Sequence, residues 1–111
     1  MTTIHPLPTR AARLDEAALS GWLGQADPGD VLDYHRGFLA VDINATTSRL
    51  PDTDRRALIQ IARRALWAAE NGFVHLVQLR SGENDFRYRM IARPRPRNAT
   101  SALSALFAEA A

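Results

Sequence analysis

The stretch DTDRRALIQIARRALWAAENGFVHLVQLRSGENDFRYRMIAR, Asp52 to Arg93, decides the fold. Thr53 to Asn71 keeps a helical period, with Asp52 as a capping residue at its start and Asn71-Gly72 as its stop signal. Leu58, Ile61, Ala62, Ala65, Leu66 and Ala69 fall on one side of a helical wheel and are the expected buried face. Arg56, Gln60, Arg63 and Trp67 fall opposite, with Arg64 and Asn71 beside them. Phe73 to Arg80 and Phe86 to Arg93 then read as two strands. Between them lies SGEND, whose Gly, Asn and Asp tolerate the dihedrals of a tight loop, so the pair is a β-hairpin.

Working outward, residues 1–8 hold two prolines and no periodicity and read as a loose arm. Thr9 is positioned to cap a helix reaching about Leu23, with Leu14, Ala17, Ala18, Gly21 and Trp22 on one face. QADPGD is a turn. Val31 to Val41 is rich in strand formers around Gly37 and reads as one long strand with a bulge, or as two short ones. NATTSRLPD is a polar loop. Pro94 and Pro96 lack amide donors, so residues 94–99 leave the sheet as an extended basic linker. Residues 100–111 form a short amphipathic helix with Leu103, Leu106, Phe107 and Ala110 at i, i+3, i+4 and i+7, suited to close the domain or to join a homodimer.

The fold class expected is α+β, a single domain over residues 9–93 in the order helix, strand, helix, strand, strand, helix. That order is winged-helix-like, with a helix ahead of a hairpin whose loop would be the wing. A winged helix carries two helices between its first strand and its hairpin. Only NATTSRLPD is at hand to supply the missing one.

The 111 residues carry 14 Arg, no Lys and no Cys, and a formal charge of +2. Disulfides and thiolate zinc sites are thereby excluded, which suits a reducing, cytoplasmic setting. Neither a signal peptide nor a membrane span is written in the sequence. Residues 1–54 hold four Arg and eight acids, net −4; residues 55–111 hold ten Arg and four acids, net +6. Such segregation suggests a polyanionic partner, against the alternatives of solubility and an arginine-rich codon bias.

The basic residues fall into two sets. On the long helix, Arg56, Gln60, Arg63, Arg64 and Trp67 form a stripe suited to phosphates and base edges, or an ordinary solvated face. On the hairpin, Phe86, Tyr88, Met90 and Ala92 alternate with Arg87, Arg89, Ile91 and Arg93, so one face is core and the other basic. Arg80, Arg95 and Arg97 extend that second set. Neutralising about five phosphates would give a log–log salt slope near −4.5. A single nucleic-acid surface requires the strand arginines to lie beside the Arg56, Arg63 and Trp67 side of the helix.

Competing readings rest on fewer residues. Asp33 and His35 share a face of a regular strand, where the carboxylate would orient the imidazole of a small hydrolase; His75 on the hairpin would complete a metal site. No glycine-rich phosphate loop, HExxH or nucleophile motif accompanies them, so neither a cofactor nor a metal is expected. A protein-binding module, such as an inhibitor of a host factor, would use Trp67 and the C-terminal helix as its apolar anchor.

At GDVLDYHRGFLA and GFVHLVQLRSGENDFRYRMIARP the chain is similar to small uncharacterised proteins encoded in prophages of Gram-negative bacteria, over about residues 20–93. The resemblance implies a phage context and a winged-helix-like fold. It carries over no site residue. The function expected is a small phage-derived DNA-binding protein.

Overall fold

The computed structural model describes residues 14–96 and 99–110. Among these residues four helices and a three-stranded antiparallel sheet make a mixed α+β fold: α1 (Glu16–Gln25), β1 (Val31–Gly37), α2 (Leu39–Asp42), α3 (Asp52–Glu70), β2 (Val74–Gly82), β3 (Asp85–Ala92) and α4 (Ala99–Ala110). The strand order is β1-β3-β2. Among the described residues no helix is long and apolar enough to cross a membrane.

Helix α1 begins later than Thr9, which lies outside the described residues. Asp15 is its N-cap, accepting a hydrogen bond from the Ala18 amide at 2.7 Å, and Glu16 meets the positive end of the helix dipole. Of the face counted from Leu14, Leu14 and Trp22 do pack against the core. Leu19, Ser20 and Leu23 are buried, whereas Ala17, Ala18 and Gly21 face solvent.

The expected strand through Val41 ends at Gly37, whose φ of 136° lies where side chains are strained. Leu39–Asp42 is instead a single helical turn, while NATTSRLPD is turn and irregular backbone up to Asp52. Asp52 is the first residue of α3 rather than its cap; Pro51 takes the cap position, where a missing amide costs nothing. At the other end the Asn71 and Gly72 amides bond to Trp67 and Ala69 carbonyls, with Gly72 at φ 82°.

The core lies between the helices and one face of the sheet. Leu19 and Leu23 of α1, Ile61, Ala65 and Ala68 of α3, Val74, Met90 and Leu106 of α4 pack together with Phe73. Leu106 is 1% exposed, so α4 closes this domain and spends its central leucine on its own chain. Tyr88, Met90 and Ala92 point inward from β3, as the alternation required. The strands join through the two-residue turn Glu83-Asn84, with Asn84 at φ 53°.

Candidate nucleic-acid interface

On α3 the buried residues are Leu58, Ile61, Ala65 and Ala68. Leu66, expected inside, is 53% exposed, because the buried sector is turned toward α1 and β2. Two predicted contact residues go inward with it. The Arg64 guanidinium pairs with Glu16 of α1 at 3.1 Å, and the Trp67 indole stacks on Phe73 at 5.6 Å between centroids and 17° between planes. Trp67 is therefore a half-buried core residue whose partner sits six positions along its own chain. What remains outward is Arg56, 74% exposed and paired with Asp52, followed by Gln60 and Arg63.

Register divides the hairpin arginines. Residues opposite one another share a face, so Arg87 and Arg89 lie with Leu79 and Val77 on the side of the sheet away from the core. That is the side opposite α3. The expected continuous surface of Arg87, Arg89 and Arg93 beside the α3 stripe is absent from the described residues. Arg80 behaves differently: it is opposite Phe86, on the face shared by Val74, Leu76 and Gln78. Along that face Val74 is buried and Leu76 partly so, while Gln78 and Arg80 are exposed. The hairpin thus runs beyond the core and carries Gln78 and Arg80 on the α3 side.

Helix α2 ties this end together. The Arg55 guanidinium donates to the Ile43 carbonyl at 3.3 Å, anchoring the start of α3. Phe38 meets Phe86 edge to face at 5.6 Å, and the Leu39 amide donates to the Tyr88 hydroxyl at 2.9 Å. Burial, reinforced by Tyr88, pushes the neighbouring Tyr34 hydroxyl above its ordinary pKa.

Several arginines are paired with acids from the other half of the sequence, Arg89 and Arg64 with acids of the N-terminal half and Arg36 with Asp85 of the C-terminal half. Arg89 forms a bidentate pair with Asp33 on β1, at 2.6 and 3.2 Å, and Arg36 forms another with Asp85, at 3.3 and 3.1 Å. These hydrogen bonds raise the pKa of Arg89 and Arg36 and hold the Asp85 carboxyl below its usual range. The charge that is segregated along the chain is therefore recombined in space, because β1 lies beside β3. Arg95 donates to the Leu23 and Gly24 carbonyls, capping the C-terminal end of α1. Arg93 is exposed and Arg97 lies outside the described residues.

The pairing of Asp33 with His35 fails. A bulge between them breaks the alternation, so Asp33 stands opposite Arg89 on the outer face and His35 opposite Tyr88 on the inner one. The imidazole meets Asp42 instead, 2.7 Å away, a partner whose position on a helical turn hid it from strand reasoning. His75 is opposite Ile91 on the outer face, remote from both. Among the described residues no set of three metal-ligating side chains occurs. No family model, curated protein or solved structure matches the chain.

Proposed function

We propose that this is a winged-helix domain that binds duplex DNA, with α3 entering the groove and the β2–β3 hairpin acting as the wing. The observation that carries the reading is the exposed series Arg56, Gln60 and Arg63 on α3, on the same side of the sheet as Gln78 and Arg80 of the projecting hairpin. Element order supports it as well: one strand, two helices and a hairpin follow α1, with the first strand paired to the last. Arg and Gln suit phosphates and the edges of guanine and adenine. The contact set is smaller than composition implied. Arg64, Trp67, Arg89 and Arg95 are held by partners within the fold and Arg87 lies on the far face of the sheet, whereas Arg56 and Arg80 are bonded to Asp52 and the Gly82 carbonyl and stay exposed. Roughly three phosphates, met by Arg56, Arg63 and Arg80, give a log–log salt slope of about −2.7. A phage setting is part of the same proposal and rests on the prophage resemblance.

Fluorescence anisotropy with random duplex and single-stranded DNA at two salt concentrations tests it. Duplex binding with a shallow negative slope is expected, and no binding at low salt overturns the reading.

A further inference from the structure

We propose that β2 is the seam of a homodimer, pairing antiparallel with β2 of a second copy about a two-fold axis at Val77. The inference stands whether or not the protein binds DNA.

Backbone direction shows which groups β2 offers. Ala92 sends its amide to the Asp30 carbonyl and receives the Gly29 amide on its own carbonyl, both on the β1 side. The next amide, Arg93, turns to the Phe73 carbonyl on the β2 side. Alternation carried back along β3 directs Ile91, Arg89 and Arg87 toward β2, where His75, Val77 and Leu79 are their opposites. Val74, Leu76, Gln78 and Arg80 are left to turn their amides and carbonyls outward. Among the described residues β2 is a terminal strand of the sheet, and these groups form an open ladder along its edge.

Natural edges are blunted by bulges, prolines or charge. The β1 edge has a bulge between Asp33 and His35 and ends at Gly37. From Val74 to Leu79, β2 has no proline, no bulge and no acidic or arginine side chain; its irregularity comes later, between Arg80 and Gly82. Leu79, 40% exposed, extends this unguarded edge on the outer face.

The same segment is complementary to itself. An axis at Val77 uses all of Val74 to Arg80 before the bulge and sets Leu76 against Gln78 of the second copy, and Val74 against its Arg80. Outward-facing amides and carbonyls meet, and no two like charges stand opposite. On the outer face Leu79 covers His75 of the second copy beside the two valines. Val77 then occupies a pair without ladder hydrogen bonds, where Cα atoms approach to about 4.5 Å. That separation lies within the range of roughly 4.4–6.8 Å that a disulfide spans. The helix α4 offers no equivalent surface, since Leu106 is already in the core.

The absence of native cysteine makes the test clean. Purified V77C, oxidised mildly at about 100 μM, is expected to form a covalent dimer at least tenfold faster than V31C, which places an exposed thiol on the other edge. Light scattering of the unaltered chain over the same range should give a mass rising from 12.3 kDa toward twice that value. Q78P removes one outward amide without breaking the hairpin ladder and should return the mass to that of a monomer. A monomeric mass throughout, equal cross-linking rates for V77C and V31C, or a dimer abolished by F107E and kept in a folded Q78P protein each overturns the proposal.

Discussion

His35 Nε2 lies 2.7 Å from Asp42 Oδ2, and the same carboxylate oxygen accepts the Phe38 amide at 3.1 Å. One acid thereby fastens the end of β1 to the helical turn α2. A Cβ at Gly37 would sit 2.6 Å from that oxygen and 3.3 Å from Nε2, at a φ that side chains rarely adopt. The His35 side chain is 9% exposed and rests on the Tyr88 ring, so little water replaces a lost partner.

Removing Asp42, or adding a side chain at Gly37, should be costly to the fold. Asp42→Ala leaves a nearly buried imidazole and an amide unsatisfied, a loss of about 1–3 kcal/mol. Gly37→Ala adds backbone strain of roughly 1–3 kcal/mol to a clash. Urea unfolding should show a lowered midpoint for each, with Asp42→Asn milder than Asp42→Ala. An unchanged midpoint in Gly37→Ala would contradict the packing described.

The helix α3 and the hairpin were legible because their periodicities are long: Leu58, Ile61 and Ala65 inward on one, Tyr88, Met90 and Ala92 inward on the other. A one-residue bulge defeats that reasoning, since a single unpaired position sends every later side chain to the opposite face. It moved His35 away from Asp33. The run Phe38 to Val41 is equally compatible with strand and helix, and the choice fell to tertiary contacts of Leu39 and Phe38 with Tyr88 and Phe86. Arginine roles were the least legible. Asp33 and Arg89 are 56 positions apart and Glu16 and Arg64 are 48 apart, so only the strand and helix packing reveals which cations are already paired.

Leu106→Ala tests whether α4 belongs to the folded unit. The side chain is fully enclosed by core residues, and truncation should cost about 2–5 kcal/mol. Neighbouring Phe107 remains 44% exposed, so Phe107→Ala should cost far less. Parallel thermal melts of the two variants give the comparison; equal losses would mean that α4 docks through a different face.

Acid should weaken the fold through two exposed carboxylates. A hydrogen bond from Arg55 lowers the Asp52 pKa, with Arg56 adding to the effect, and one from Arg36 lowers that of Asp85. Each folded value lies below its unfolded one, near about 4, so the unfolded chain binds more protons and stability rises with pH in that window. The contribution is complete above about pH 5 and is lost as pH falls through the depressed folded values. Being exposed, both pairs are screened, and the effect should be small and weaken with salt. Urea midpoints from pH 6 to 2 should fall less steeply in the Asp52→Asn, Asp85→Asn double variant than in the unaltered chain.

Arg63 and Arg89 separate a contact role from a folding role. Arg63 is exposed on the outer side of α3, while Arg89 is held by Asp33 on the far face of the sheet. Arg63→Ala should leave the thermal midpoint nearly unchanged and reduce the salt slope of DNA binding by about 0.9, one phosphate's worth. Arg80→Ala should do the same from the hairpin. Arg89→Ala should lower stability modestly, by about 1 kcal/mol for a well-ordered but partly exposed bidentate pair, with the slope intact. Anisotropy titrations at four salt concentrations, run beside melts of the same samples, read both quantities. A slope that falls in Arg89→Ala and holds in Arg63→Ala would move the DNA surface to the opposite side of the sheet.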